Sequence, residues 1–334
     1  MRAALLLAVL LALAGGCTPR VQGLGPTLGP PRLEAAALVS VDGARLPLSV
    51  WPASRPTAVI LALHGFNDYR KSFEAAAGYW AGLGIVTYAF DQRGFGESTE
   101  PGIWGGRAAM VQDVRAAAAV LRQRHPGLPL YLLGESMGGA VALAALAGPS
   151  PPVDGLILSA PAVWGARAMN PFYRAGLWLW AHLAPAATVT GRGLDRLASD
   201  NVPMLRGLAK DPLVIKQTRV DAVYGLTRLM GDGFRAAPGV DLPVLLLFGA
   251  RDEIVPASAV SEMVEAMAAK PRIAVYPDGW HMLLRDCQAP VVWRDVAAWV
   301  ADPASPLPSG AEVVDAEAVK TTDRGPVAET CPDS

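Results

Sequence analysis

Strand-like and helix-like segments alternate along most of the chain. Short apolar runs of β-type composition occupy 36–41, 46–51, 58–65 (AVILALHG), 84–91 (GIVTYAFD), 130–136 (LYLLGES), 155–161 (GLILSAP), 243–252 (PVLLLFGARD) and 272–279 (RIAVYPDG). Several are apolar almost without interruption, as in central strands covered by helices on both faces. Helical spacing lies between them at about 71–82, 107–124, 137–148, 257–269 and 289–301. The alternation predicts an α/β fold with a mostly parallel eight-stranded sheet, built from right-handed crossovers. The first two runs, joined through VDGAR, read as an antiparallel hairpin at one edge. One interval breaks the rhythm. Residues 161–240 contain NPFYRAGLWLWAHLA and DPLVIKQTRVDAVYGLTRLM, both more helical than strand-like. Structureless loops of that length are uncommon in compact domains. The interval is therefore predicted to be an inserted helical lid, leaving 35–160 and 241–301 as the core.

The two ends follow neither period. Residues 1–17, MRAALLLAVLLALAGGC, place one positive charge at Arg2 before an apolar stretch from Ala3 to Ala14. That stretch is short for a bilayer span and reads as the apolar region of a signal peptide, predicting export. LAGGC resembles the lipobox of bacterial lipoproteins, which implies lipidation at Cys17 and a membrane-anchored protein of the bacterial cell envelope, facing the periplasm. Ala14 departs from the box, which usually carries Leu there; cleavage by an ordinary signal peptidase, giving a secreted or soluble periplasmic protein, is the alternative. Residues 18–34, rich in Pro and Gly, read as a tether, and 302–334 as a disordered acidic tail. With Cys17 lipidated, Cys287 and Cys331 remain, an even number for an oxidising compartment. They either pair, tying the tail to the body, or stand as a buried small hydrophobe and a loose thiol. The 334 residues are 52% hydrophobic and 18% charged, which excludes chain-wide disorder, and the net charge of -1 offers nothing to a nucleic acid. Oligomeric state is not legible.

The chemistry concentrates at LYLLGESMGGAVAL. Ser136 follows an apolar strand and precedes an Ala-rich helix, the setting of a nucleophile elbow. Gly134 and Gly138 flank it where side chains would collide in a tight reversal, and Gly139 suits close packing of the helix on the sheet. A serine needs a base, and the base an orienting acid. Of four histidines, His64 ends a strand, His125 closes a helix as a solvated surface residue, and His182 lies in the lid. His281, in the loop after the last predicted strand, is the candidate base. Asp252 lies just past a strand's C-terminal end, where active groups of open α/β sheets collect; Glu253 competes with it, while Asp154 precedes its strand and lies at the wrong end. The order Ser136, Asp252, His281 is that of α/β-hydrolases. Backbone N–H groups of Met137 and Phe66 are the candidate oxyanion donors. No His/Cys/Asp cluster has metal-ligand spacing, and RGFGES lacks a dinucleotide fingerprint, so neither metal nor cofactor is expected.

HGF, DQRGFGES, GESMGG, GARDEIVP and DGWHMLL, in this order and spacing, resemble the monoacylglycerol lipase/lysophospholipase group of α/β-hydrolases, also called serine aminopeptidase S33 or Hydrolase_4. The resemblance covers roughly 35–300. It implies the α/β-hydrolase fold, a catalytic triad of Ser136, Asp252 and His281, oxyanion donors Phe66 and Met137, a lid at 161–240, and structural roles for Asp91 and Arg93. It also implies hydrolysis of carboxylic esters. Trp164, Phe172, Trp178 and Trp180, with Tyr173 and Leu177, are candidates to line an acyl pocket or to rest on a membrane interface. The expected partners are a lipid or ester substrate and, through the N-terminal anchor, a membrane. A short-chain esterase, an S33-type peptidase or amidase, and a non-catalytic envelope lipoprotein stand as alternatives.

Overall fold

The computed structural model describes residues 18–165, 169–191, 196–321 and 331. At its centre is β4 (Ala58–Leu63), buried at every position. Alternate residues feed opposite cores: Val59, Leu61 and Leu63 on one face, Ala58, Ile60 and Ala62 on the other. A strand covered on both faces has no solvent side for a polar residue, hence the unbroken apolar run. The same is true of β6 (Leu130–Glu135) and β10 (Val244–Gly249), which carry no charge until Glu135. With β5 (Ile85–Phe90), β7 (Gly155–Ser159) and β11 (Arg272–Tyr276) they run parallel in the order β5-β4-β6-β7-β10-β11. The antiparallel β3 (Arg45–Trp51) and β2 (Ala37–Val39) extend the sheet beyond β5. All eight predicted strands are present, in an α/β-type sheet.

Helices α1 (Glu74–Gly82) and α8 (Ala289–Ala301) cover one face through Trp80, Val292, Val296 and Trp299. On the other lie α2 (Arg107–Arg124), α3 (Met137–Leu146) and α7 (Ala257–Ala266), contributing Val114, Leu121, Val141, Val260 and Met263. The inserted segment holds α4 (Pro171–Leu183), α5 (Val202–Lys210) and α6 (Val220–Ala236). Asn170 and Asn201 cap the first two, accepting from Phe172 N at 2.9 Å and Met204 N at 3.0 Å, each with a proline in the following turn. The insertion is not wholly helical. Two-residue strands β8 (Thr188–Val189) and β9 (Thr218–Arg219) pair antiparallel within it, too short to leave a period in the sequence.

Both predicted ends need correction. The supposed tether lies against the body: Gln22 N donates to Trp104 O at 2.9 Å, Leu28 N to Val41 O at 2.7 Å, and β1 (Arg32–Glu34) pairs with β2. Residues 302–321 of the supposed disordered tail are ordered. There β12 (Glu312–Val313) pairs antiparallel with β11, and α9 (Glu317–Thr321) buries Val319 in the main core. These contacts rest on backbone pairing and single apolar side chains, which periodicity does not register. Cys331 is disulfide-bonded to Cys287. The predicted signal segment, including Cys17, lies outside the described residues. Among the described residues no helix is long and apolar enough to cross a membrane.

Candidate active site

Every candidate group hangs from the C-terminal edge of the parallel sheet. Ser136 caps α3 with φ 52° and ψ −114°, a left-handed conformation that costs a non-glycine residue energy and persists only where its surroundings enforce it. Backbone bonds enforce it: Ser136 N donates to Ser159 O at 2.9 Å, while Ser136 O accepts from Ala162 N at 2.9 Å, Gly139 N at 3.0 Å and Ala140 N at 3.4 Å. The flanking glycines are a steric requirement. A Cβ on Gly134 would lie 2.5 Å from the Gly138 carbonyl, one on Gly138 2.0 Å from Leu63 O, and one on Gly139 2.8 Å from Pro161. Being first in α3, Met137 has an N–H with no intrahelical acceptor. The loop carrying Phe66 runs alongside, since a Cβ on Gly65 would lie 3.5 Å from the Ser136 Cβ.

His281 and Asp252 meet from separate loops, after β11 and β10. His281 Nδ1 donates to Asp252 Oδ2 at 2.8 Å, which leaves Nε2 as the nitrogen available to a substrate-side partner. The Asp252 side chain is fully buried, and its other oxygen accepts from Ile254 N at 2.7 Å and Val255 N at 2.9 Å. Burial works to lower the His281 pKa, but the charge and hydrogen bond of Asp252 outweigh it, with smaller contributions from Glu135 and Asp286, and the net value is raised above 6.5. Glu253 turns away: its carboxylate accepts from Leu197 N at 2.8 Å in the inserted segment. Asp154 sits at the far end of the sheet, accepting from Leu130 N at 2.7 Å.

The other histidines have structural partners. His64 is fully buried, donates from Nδ1 to Gly65 O at 2.8 Å and accepts from Gln92 N at 3.0 Å, and burial lowers its pKa. His125, expected on the open surface, is half-buried, with Nε2 2.9 Å from the Tyr88 hydroxyl. His182 stacks on Trp178 at 4.4 Å. Asp91 and Arg93 are knitted into the frame: Asp91 accepts from Arg70 N and Glu97 N, each at 2.8 Å, and Arg93 bridges Asp113 at 2.7 Å and Asp42 at 2.8 Å.

Ser136 and His281 line one cavity of about 270 Å³. Part of its wall is apolar: Phe66, Trp164, Leu226, Met230, Ile254 and Val255. A charged patch joins it, from Asp68, Glu135 and Arg285. Arg285 reaches Asp68 at 2.7 Å and Glu135 at 3.3 Å. Burial pushes the Glu135 carboxyl up against the pull of Arg285, while burial of Arg285 is outweighed by its two carboxylates, which hold its pKa above the ordinary value. One more acid lies behind this wall. Burial pushes Asp286 up to about 7, against its bonds to Ser199 Oγ at 2.5 Å and Trp280 N at 2.7 Å. Sequence reasoning missed this group. Glu135 lies inside the GESMG motif and Arg285 in the turns that follow His281, yet neither position signals a partner.

Of the aromatic candidates, Trp164 lines the cavity and Phe172, Trp178 and Trp180 do not. They stand on α4, 86%, 51% and 45% exposed, with only Ala181 of that helix buried. Of the two expectations for these aromatics, an acyl-pocket wall or an outward apolar surface, those of α4 match the second, facing outward. Among the described residues, the one grouping with ligand atoms close enough to hold a metal is Asp200 with Cys287 and Cys331, whose sulfurs are bonded to each other.

A strained serine elbow at a helix N-terminus, beside an Asp–His pair at the C-terminal edge of a largely parallel sheet, defines an α/β-hydrolase. The family model for serine aminopeptidase S33, Hydrolase_4, matches residues 54–288, and the chain belongs to that family. It is 26% identical over 277 residues to the monoacylglycerol lipase of Mycolicibacterium smegmatis, covering 79% of this chain and 95% of the relative. It is 27% identical to the monoglyceride lipase of Mus musculus, covering 81% and 91%. In fold it matches a soluble variant of the Saccharomyces cerevisiae monoglyceride lipase, solved with a substrate analog, at a TM-score of 0.68 and 20% identity, over 86% of this chain and 98% of that one.

Proposed function

We propose that this protein hydrolyses carboxylic esters that join a long acyl chain to a small hydroxylated alcohol, with monoacylglycerol as the first candidate and lysophospholipid the second. The observation that carries the reading is the two-sided cavity at Ser136: an apolar wall that suits an acyl chain, and Asp68, Glu135 and Arg285 as hydrogen-bonding groups for alcohol hydroxyls. The activities named for the relatives in M. smegmatis and mouse support it.

In this reading Ser136 Oγ attacks the acyl carbonyl while His281 Nε2 takes its proton. The Asp252 bond to Nδ1 fixes the tautomer and stabilises the imidazolium as it forms. Negative charge develops on the former carbonyl oxygen, where the N–H groups of Phe66 and Met137 and the N-terminus of α3 favour it. His281 returns the proton to the leaving alkoxide, and water, activated by the same imidazole, releases the acid from the acyl-enzyme. In the wild type, a fluorophosphonate should label Ser136 and p-nitrophenyl esters of C8 or longer should outrun C2; Ser136→Ala should lose both activities. Cleavage of an aminoacyl-anilide alone would sink the ester reading in favour of a peptidase.

The setting is an envelope membrane. The lipobox-like leader supports lipidation at Cys17, the Cys287–Cys331 disulfide suits an oxidising compartment, and the exposed aromatics of α4 suit a lipid surface. Fractionation of Cys17→Ser tests the anchor: the variant should leave the membrane fraction for the soluble one.

A further inference from the structure

The loop that carries Phe66 is held by the inserted segment. Asn67 has φ 66°, a left-handed conformation that Asn tolerates better than most residues. Its carbonyl accepts from Ile215 N at 3.0 Å, and its Nδ2 donates to Thr218 Oγ1 at 2.7 Å. Two residues on, the Tyr69 hydroxyl donates to Asp211 Oδ2 at 2.7 Å. Asp211 directly follows α5, Ile215 lies in the link to β9, and Thr218 is the first residue of β9, so all three partners belong to the inserted segment. Within the core, Asp68 N meets Gly65 O at 3.3 Å and Asp68 pairs with Arg285. The peptide that aims the Phe66 N–H at the reacting carbonyl is thus followed at once by a residue whose backbone and side chain are both bonded to the insertion.

We propose that Asn67 is a positioning residue through which residues 211–218 of the inserted segment set the oxyanion hole, so that the insertion tunes the chemical step as well as covering the substrate. This rests on the reading of Ser136 as nucleophile and Phe66 as donor. An N–H stabilises a transition state only when aimed at the oxyanion's final position, so a small swing of the loop acts on kcat and leaves ground-state binding nearly unchanged. Asn67 and Thr218 are absent from the wall of the Ser136 cavity.

The test is steady-state kinetics on a p-nitrophenyl ester, with affinity for a trifluoromethyl ketone, whose adduct carries the oxyanion, and thermal melting as parallel readouts. Losing an entire donor costs roughly 10²–10³ in kcat, so a displaced one should cost about tenfold. Thr218→Val and Asn67→Gly, the latter keeping the left-handed backbone, should each lower kcat by about that factor with KM nearly unchanged. Ketone affinity should fall in parallel, and Thr218→Ser, which restores the hydroxyl, should recover both. If Asn67→Gly destabilises the fold, Thr218→Val carries the comparison from the insertion side, and Tyr69→Phe removes the loop's other side-chain bond to the insertion. Wild-type kcat and ketone affinity in folded Thr218→Val and Asn67→Gly would overturn the coupling alone. A wild type inert toward both ester and ketone overturns it together with the serine-hydrolase reading.

Discussion

The floor and the roof of the cavity are built by opposite rules. On the floor, Ser136 directly follows a buried strand while Asp252 and His281 sit in the short loops past two others, and hydrogen bonds to the backbone fix each supporting turn. In the roof, two neighbouring helices of the insertion differ sharply. Helix α6 is packed on the core, burying Leu229 in the main core and Gly233 beside Ala140 of α3, where an added Cβ would lie a tight 3.0 Å from the Ala140 backbone. Helix α4 buries Ala181 and turns Phe172, Tyr173 and Trp178 outward. The insertion therefore combines a fixed wall with an outward apolar plate, and the wall lines the Ser136 cavity through Leu226 and Met230. A patch of several large apolar side chains is a surface suited to contact rather than to water.

The contrast can be tested from its strongest element downward. On the floor, Asp252→Asn should lower kcat by roughly 10⁴, as expected when the base is left in the wrong tautomer. The pH profile checks the electrostatics with a definite sign. His281 acts as base only when neutral and its pKa is raised, so the acid limb of kcat/KM should lie above pH 6.5. Asp252→Asn removes the raising charge and should move that limb downward, and Glu135→Gln should move it in the same direction by less.

Less drastic is the wall. Gly233→Val forces side-chain atoms into the α6–α3 contact and should cost about 1–3 kcal/mol of unfolding free energy by denaturant titration. An unchanged midpoint would mean that α6 moves away from α3 at little cost, and the distinction between wall and plate would collapse. The tail offers a similar scale. Cys287 and Cys331 close a loop of sequence separation 44, and Cys331→Ser should cost about 2–4 kcal/mol, read in the same titration under non-reducing conditions. Smallest is the plate. Trp178→Ala with Trp180→Ala should leave hydrolysis of a soluble short ester and the melting temperature nearly unchanged, yet reduce turnover of vesicle-borne monoacylglycerol a few-fold. Equal losses on both substrates would assign α4 to the pocket after all.

Much of the floor was legible because each part of it is a local demand. Gly134, Gly138 and Gly139 answer collisions within a few residues of Ser136, and the unbroken apolar runs of β4, β6 and β10 follow from burial on both faces. The choice of Asp252 over Glu253 needed the structure, since adjacent residues point different ways and only the fold says which way faces His281. Other features had no local signal at all. Arg285 finds Asp68 and Glu135 across loops from three different strands, and Asn67 finds Thr218 across 151 positions. The ordered stretch after residue 302 escaped for the same reason, being held by β11 and α7 rather than by its own pattern.

The sequence by itself determined the alternating α/β order, the strained serine and its histidine partner, because local sterics and burial leave few other choices. Which way α4 faces, which charges line the Ser136 cavity, and how the insertion holds the Phe66 loop were decided only by tertiary structure. Those contacts join residues far apart in the chain, and hydrophobic periodicity reports that a residue is buried without naming what it is buried against.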